Sequence, residues 1–127
     1  MTIEYREVHD VDLDALRLRV NFGAKSRDDV KAQVDGACWG VAAYDGKRSI
    51  GFARAISDGI TNAYVGSVMV DPDYQRRGIG REIMRRIVGG RDHIRFVFHA
   101  QKDAMPFYRA LGFTDAPDMM WRDRKSS

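Results

Sequence analysis

The residues that could do chemistry begin with a basic loop at positions 70–81, Val-Asp-Pro-Asp-Tyr-Gln-Arg-Arg-Gly-Ile-Gly-Arg. An apolar run precedes this loop, and a helical pattern of apolar residues follows it directly. The N–H groups of such a loop and the positive end of a helix dipole both attract an anion. Gly78 and Gly80 allow the backbone to approach a bulky group closely. The stretch therefore predicts a phosphate-binding site.

The loop departs from two common phosphate motifs. Ile83 occupies the third glycine position of a dinucleotide fingerprint, and no Gly-Lys-Ser/Thr follows, as a Walker A loop requires. Seven arginines lie between positions 76 and 95, which fits a nucleic-acid surface, a solvated helix face or a site for a small phosphorylated ligand. Glu82 and Asp92 interrupt the cluster and no aromatic residues alternate with it, so nucleic-acid binding is not expected.

The composition predicts a single domain over residues 1–127. The chain is 44% hydrophobic and 31% charged, with a net charge of +3, which is ordinary for a soluble protein. No apolar run approaches the roughly 18 residues that cross a bilayer, and the N-terminus does not resemble a secretory signal. Cys38 is the single cysteine and the three histidines are scattered, so neither a disulfide nor a metal site is expected. We expect a cytoplasmic protein without membrane contact.

The elements around the loop are predicted from the period of the apolar residues, which is 2 in strands and 3.6 in helices. Asp10 and Ser26 are candidate N-caps of two helices, and Asp45-Gly46 predicts a hairpin turn. Before the loop, the pattern predicts a strand at 2–8, helices at 11–20 and 26–35, and strands at 38–44, 48–57 and 62–70.

After the loop, an apolar stripe predicts a helix that ends at Gly89-Gly90. The stripe consists of Ile79, Ile83, Ile87 and Val88. The strand predicted at 94–99 follows this helical crossover, so it runs parallel to the strand before the loop. A short helix at 104–111, capped by Asp103, and an edge strand at 119–122 complete the chain. The order predicts an α/β (α+β) fold with a mixed, mostly antiparallel sheet and helices on both faces.

Two motifs in this arrangement resemble those of the GCN5-related N-acetyltransferase (GNAT) superfamily. The motifs are Val68-Met69-Val70-Asp71-Pro72 with Gln75-Arg76-Arg77-Gly78-Ile79-Gly80, and Phe107-Tyr108-Arg109-Ala110-Leu111-Gly112-Phe113. The resemblance covers residues 50–121 by motif and the first 50 residues by element order. It implies the GNAT fold, with a parallel central strand pair, and an acetyl-transferring enzyme. The ending at 118–121 and the compact length are similar to those of serotonin N-acetyltransferase-like members.

The resemblance implies acetyl-coenzyme A (acetyl-CoA) as the acetyl donor. Its diphosphate is expected on the N–H groups of residues 76–81, with the loop arginines as countercharge. Backbone groups at 68–70 are expected to bind the pantetheine arm and to stabilise the oxyanion. Gln101 stands where many members carry a cofactor-binding Asn. The expected cofactor-binding residues are Val68, Met69, Val70, Gln75, Arg76, Arg77, Gly78, Ile79, Gly80, Arg81, Gln101 and Tyr108.

The catalytic residues implied by the resemblance are a tyrosine acid and an unassigned base. Tyr108 matches the position of the general acid that protonates the departing thiolate, although an amphipathic packing role is the alternative. Ser67 occupies the position where many members carry a Glu, and serine cannot act as an ionised base. His99 is the best titratable candidate, beside the alternatives of a structural histidine or of water relayed with help from Ser67 and Tyr64.

The acceptor is expected to be a small-molecule primary amine that attacks acetyl-CoA directly in a ternary complex. Its candidate binding residues are Phe22, Trp39, Asp58 and Tyr64. Asp58 could hold a cationic amine, but a turn-starting role explains it equally well. The alternatives are a non-catalytic acyl-CoA-binding module and a protein-lysine acetyltransferase. Homodimer formation through the last strand stays open.

Overall fold

The computed structural model describes residues 2–7, 13–22 and 25–125 of the chain. The predicted helix cap Asp10 lies outside the described residues. The elements, in chain order, are β1 (Ile3–Glu7), α1 (Asp14–Arg19), α2 (Arg27–Asp35), β2 (Trp39–Asp45), β3 (Arg48–Ser57), β4 (Asn62–Val70), α3 (Ile79–Val88), β5 (Arg95–Val97) and α4 (Met105–Ala110). Single 3₁₀ turns at Pro72–Tyr74 and Lys102–Ala104 precede α3 and α4.

The five strands form one mixed sheet in the order β1-β2-β3-β4-β5. The first four strands are antiparallel to one another, and β5 runs parallel to β4, which confirms the predicted fold class. The predicted edge strand at 119–122 is wrong, because this stretch pairs with no strand and Met120 is 92% exposed. The parallel pair consequently lies at one end of the described sheet rather than at its centre.

Two apolar cores hold helices against opposite faces of the sheet. On one face, the apolar stripe of α3 packs against inward-facing residues of β2, β3 and β4, as the sequence predicts. On the other face, Leu13, Leu16, Val30 and Val34 of the α1–α2 region pack against Phe52 and Met69. The contact of α3 with β3 is close, since a Cβ atom on Gly51 would lie 2.8 Å from Ile83 Cδ1. The sheet therefore lies between α3 on one face and α1 and α2 on the other.

Two predicted helix caps can be compared with the structure. The Ser26 hydroxyl accepts the Asp29 N–H at 3.1 Å, so the predicted cap of α2 is confirmed. The Asp103 cap is wrong, because this residue lies inside the 3₁₀ turn and α4 begins two residues later without a side-chain cap. Pro106 lies in the first turn of α4, where its missing N–H costs little.

Candidate functional site

The parallel strands β4 and β5 pair over only part of their length. Three residue pairs join them, Asn62↔Arg95, Ala63↔Phe96 and Tyr64↔Val97. The predicted strand at 94–99 is thus too long, and residues 98–99 lie beyond its end. Residues 65–70 of β4 have no partner on the β5 side within the described chain. Their backbone groups on this open edge are available to a ligand.

A bulge in β4 lies beside this open edge. Arg54 pairs with Gly66 and Phe52 with Met69, so two residues of β4 face one residue of β3. Ser67, one of the two, has a left-handed φ of 56°, which costs free energy for a residue with a Cβ atom. Its hydroxyl accepts a hydrogen bond from Arg54 Nε at 3.1 Å. The bulge changes the direction in which the backbone N–H and C=O groups of β4 point, at the place where β4 and β5 separate.

A buried carboxylate fixes the start of the basic loop. Asp71 is 1% exposed and accepts hydrogen bonds from Arg19 at 2.5 Å, Arg48 at 2.9 Å and the Asp73 N–H at 2.9 Å. Its own N–H donates to the Ile50 carbonyl at 2.7 Å. Burial opposes ionisation, but the three hydrogen bonds outweigh it and hold the pKa of Asp71 below its ordinary value. The loop is therefore tied to both α1 and β3.

The loop itself has the backbone geometry of an anion site. Arg76 and Gly78 adopt left-handed φ angles of 64° and 81°, which bend successive N–H groups inward as in an anion-binding nest. The first hydrogen bond of α3 runs from the Glu82 N–H to the Gly78 carbonyl at 3.0 Å, so the N–H groups of residues 79–81 have no partner within the helix. Exposed side chains of Arg76, Arg77 and Arg81 surround them. This geometry suits a phosphate group.

The two sequence motifs meet at Gly80. A Cβ atom at this position would lie 3.4 Å from Val70 Cγ2 and 3.5 Å from Phe107 Cζ. The end of β4, the N-terminus of α3 and the helix α4 therefore converge at one point. Gln75, between them, donates a long hydrogen bond of 3.3 Å to the Val70 carbonyl.

Tyr108 lies next to this junction with an unbonded hydroxyl. Its ring packs against Phe98, Phe107 and Phe113, with centroids 4.5, 5.1 and 6.1 Å away. Burial raises the pKa of Tyr108 above its ordinary value of 10. No group in the described residues hydrogen-bonds to the hydroxyl, and no side-chain polar atom of the described chain is buried without a partner. The hydroxyl is therefore accessible while the ring is held in place.

The other predicted cofactor and catalytic residues differ in burial. Val68 and Val70 are half-buried, and Met69 is buried in the core beneath α1 and α2. His99 is exposed beyond the end of β5, with the Trp121 ring 5.2 Å away in an edge-to-face contact. Gln101 is exposed immediately before a 3₁₀ turn. The roles predicted for His99 and Gln101 stay predictions.

The four predicted acceptor residues do not form one cluster. Tyr64 is 46% and Phe22 43% exposed, and the Arg17 guanidinium lies 5.0 Å from the Phe22 ring. Trp39 packs with the α3-side core, where Phe96 and the Arg91 guanidinium contact its ring. Asp58 accepts the Ile60 N–H at 2.9 Å in the turn between β3 and β4. Its turn-starting role is therefore observed directly.

The arginine cluster is divided between the loop and a solvated helix face. Arg85 and Arg86 are exposed on α3 and form ion pairs with Glu82 at 2.6 and 2.7 Å. Hydrogen bonds from Arg85 and Arg86 lower the pKa of Glu82 to about 2. Because Arg85 and Arg86 are paired with Glu82 on the same helix, the loop arginines are the better candidates for binding a ligand.

The described residues contain neither a cluster of metal ligands nor a membrane-spanning helix. No three His, Cys, Asp or Glu side chains of residues 2–7, 13–22 and 25–125 lie close enough together to hold a metal ion. None of the helices in these ranges is both long and apolar enough to span a membrane.

Sequence-based reasoning missed three arginines of this site. Arg19 and Arg48 bind Asp71 from 52 and 23 residues away, and such distant pairs leave no local pattern. Arg54 lies inside the strand predicted at 48–57 and belongs to no motif. The apolar run ending at Asp71-Pro72 was the single available signal for the buried carboxylate.

A mixed sheet whose parallel strands separate beside a helix N-terminus with the geometry of an anion site is typical of an acetyltransferase-like α/β domain. Residues 35–115 match the family model of the acetyltransferase (GNAT) domain, and the chain belongs to this family. The family predicted from the two motifs is thereby confirmed.

Individual relatives agree with this assignment. The chain is 31% identical to GCN5-related N-acetyltransferase 1, chloroplastic, of Arabidopsis thaliana, over 89% of this chain and 61% of the relative. It is 40% identical to serotonin N-acetyltransferase 2, chloroplastic, of Oryza sativa subsp. japonica, over 56% of this chain and 37% of the relative. The chain thus spans less than two thirds of either relative.

A solved structure from meticillin-resistant Staphylococcus aureus, named a probable acetyltransferase of unknown function, is similar over nearly the whole chain. It superposes with a TM-score of 0.85 at 25% identity, covering 98% of this chain and 100% of that one. The overall GNAT fold is therefore common to both proteins.

Proposed function

We propose that the protein transfers an acetyl group from acetyl-CoA to a primary amine, by direct attack in a ternary complex. The observation that carries this proposal is the open edge of β4 at residues 65–70, which contains the Ser67 bulge and leads directly into the basic loop. A cofactor bound along this edge would end beside Tyr108. Family membership supports the same reaction class.

The residues present fit a coenzyme A group. The N–H groups at residues 79–81 and the exposed Arg76, Arg77 and Arg81 would bind the diphosphate. The backbone groups of residues 68–70 that face the open edge would hold the amide-containing pantetheine arm, although the Val70 carbonyl also accepts a hydrogen bond from Gln75. When bound, acetyl-CoA supplies an acetyl group activated as a thioester.

In the proposed reaction the amine nitrogen forms a bond with the acetyl carbonyl carbon and the carbon–sulfur bond breaks. Backbone N–H groups of β4 stabilise the negative charge that develops on the carbonyl oxygen. The departing sulfur takes a proton from the Tyr108 hydroxyl, which is accessible and, because burial raises its pKa, fully protonated at neutral pH. Tyr108 is the catalytic residue on which the proposal depends.

The amine must also lose a proton. Ser67 occupies the bulge, where many family members carry a Glu, so this position offers no carboxylate base. The Ser67 hydroxyl accepts a hydrogen bond from Arg54. His99 remains the candidate base, with relayed water and Tyr64 as the alternative. The pH–rate profile of His99→Ala between pH 6 and 9 distinguishes His99 from the relayed water as the base. Loss of the acid limb of the pH–rate profile supports His99, and an unchanged limb excludes it.

A small-molecule amine is the proposed acceptor, and serotonin belongs in the test set because one relative is named for it. The proposed location, the cytosol, stays a prediction, as does a homodimer. The direct test is the release of coenzyme A thiol from acetyl-CoA with a panel of arylalkylamines, polyamines, ω-amino acids and a lysine peptide. Thiol release that depends on one small amine supports the proposal.

The second candidate function is a non-catalytic acyl-CoA-binding module. The observation in its favour is the serine at the bulge, where many family members carry a Glu. Binding of acetyl-CoA with no thiol release for any amine would support this module and contradict acetyl transfer. Preferred acetylation of the lysine peptide would indicate a protein acceptor instead.

A further inference from the structure

A half-buried arginine lies on an open part of the sheet beside the bulge. Arg54 alternates along β3 with Ala53 and Ala55, which belong to the α3-side core, so its side chain projects from the α1–α2 face. Helices α1 and α2 cover Phe52 on this face, but Ile56 and Tyr64 farther along are 47% and 46% exposed. This part of the sheet consists of Arg54, Ile56, Tyr64, Gly66 and Ser67.

Within the described part of the chain, Arg54 makes a single hydrogen bond, from Nε to Ser67 Oγ at 3.1 Å. No carboxylate of the described residues forms an ion pair with it. Gly66 lies opposite on β4, and a Cβ atom there would be 3.5 Å from an Arg54 terminal nitrogen. The Tyr64 ring lies 3.4 Å from the same Cβ position, so the Arg54 guanidinium and this ring border the bare backbone of Gly66 directly. The N–H donors of both terminal nitrogens are thus left for a ligand.

Eight other arginines of the described residues form an ion pair with an acidic side chain, unlike Arg54. The pairs are Arg6–Glu4, Arg19–Asp71, Arg27–Asp14, Arg48–Asp71, Arg85–Glu82, Arg86–Glu82, Arg91–Glu7 and Arg109–Asp115. Burial lowers the pKa of Arg54; Tyr64 opposes this effect and the nearby charge of Arg17 adds to it. Burying a guanidinium without a countercharge costs free energy, and a bound anion would remove that cost.

We propose that Arg54 binds a carboxylate carried by the acceptor, so that the acetylated amine is an aminocarboxylate. A guanidinium binds a carboxylate through two parallel hydrogen bonds, and the Nε–Ser67 bond holds the planar group in one orientation. Ser67 is also the bulge residue next to the open edge of β4, so the carboxylate site adjoins the place where the thioester would lie. The inference rests on the proposed acetyl transfer because it concerns the second substrate of that reaction.

The test compares amines that differ by a carboxylate. Thiol release is measured with ω-amino acids from glycine to 6-aminohexanoate and with alkylamines of the same chain length, which samples the distance from Arg54 to the reacting carbon. We expect at least one ω-amino acid to exceed its alkylamine about tenfold in kcat/KM. In Arg54→Gln this ratio should fall to about 1, and in Arg54→Lys to an intermediate value, because lysine keeps the charge without the planar donors.

The control variant is Arg85→Gln, whose arginine is exposed on α3 and paired with Glu82; it should keep the wild-type ratio. Equal rates for ω-amino acids and alkylamines in the wild type would overturn the inference and leave acetyl transfer standing. No thiol release with any amine would instead contradict the proposed function. A ratio that survives in both Arg54 variants, or a preference for phosphoethanolamine over every ω-amino acid, would also overturn the carboxylate assignment.

Discussion

Replacing Asp71 with Asn removes the negative charge that Arg19 and Arg48 share at the start of the basic loop. A hydrogen bond to a charged group contributes about 1.5 to 3 kcal/mol, and breaking a fully buried pair costs about 3 to 5 kcal/mol. Here the carboxylate is 1% exposed, but the arginine side chains are 27% and 44% exposed, so water can partly replace the lost partner. We therefore expect Asp71→Asn to lower the free energy of unfolding by about 2 to 3 kcal/mol.

Thermal and urea unfolding at pH 7 measure this change. At roughly 4 °C per kcal/mol for a domain of this size, Tm should fall by about 10 °C. The matched control is Asp73→Asn, whose carboxylate is 78% exposed and 3.6 Å from Arg48; it should change stability by less than about 0.5 kcal/mol. A loss for Asp71→Asn no larger than that of the control would refute the assignment of Asp71 as the anchor of the loop.

The stability difference between wild type and Asp71→Asn should depend on pH. The pKa of Asp71 is lowered in the folded protein, so its stabilisation is complete above the ordinary carboxyl pKa of about 4 and is lost as pH falls through the lower folded value. The stability difference between wild type and Asp71→Asn should therefore be constant from pH 5 to 7 and shrink below pH 4. A difference that is unchanged at pH 3 would contradict this account.

Three further changes have expected outcomes. Gly51→Ala should destabilise the protein by about 1 to 2 kcal/mol in urea unfolding, because its Cβ would lie 2.8 Å from Ile83 Cδ1 in a packed core. Glu82→Gln should cost about 0.5 to 1 kcal/mol at pH 7, and this loss should diminish as pH falls from 4.5 towards the Glu82 pKa of about 2. Arg76→Gln should weaken coenzyme A binding about tenfold in titration calorimetry, because a charged donor to the diphosphate is lost.

Two of these changes have a matched control in the chain, and the third is tested by its pH dependence. Gly80→Ala would bring its Cβ no closer than 3.4 Å to a neighbour, an ordinary contact, so it should affect stability less than Gly51→Ala. Arg85→Gln lies outside the loop and should leave coenzyme A affinity unchanged. A tenfold loss for Arg85→Gln would indicate a diffuse charge effect instead of a defined phosphate site. A cost of Glu82→Gln that is independent of pH would contradict the ion-pair explanation.

The sequence was sufficient to predict the regular part of the fold. The bounds predicted for the strands at 48–57 and 62–70 match β3 and β4, because apolar alternation, the turns at Asp45-Gly46 and Asp58-Gly59, and Asp71-Pro72 after β4 are local signals. The stripe of α3 is predicted for the same reason. The prediction of a strand at 119–122 failed because its apolar residues do not reveal whether a neighbouring strand is present to pair with. Their side chains remain exposed.

The candidate site was predictable only where a motif marks it. The loop at 70–81 and Tyr108 carry such motifs, and the structure places both motifs around Gly80. The left-handed φ of Ser67 has no local signature, since neither Gly nor Asn occupies that position. The partners of Asp71 and the isolation of Arg54 depend on which distant strands and helices meet, and spacing within a segment does not encode this.

The role proposed for Tyr108 is to protonate the departing thiolate of acetyl-CoA bound along β4. The most direct measurement is steady-state thiol release by wild type and Tyr108→Phe with the same amine, alongside acetyl-CoA affinity by calorimetry. The phenylalanine keeps the ring packing against Phe98 and removes only the hydroxyl. We predict that kcat falls at least about tenfold while acetyl-CoA affinity is unchanged. An unchanged kcat in Tyr108→Phe would contradict the account.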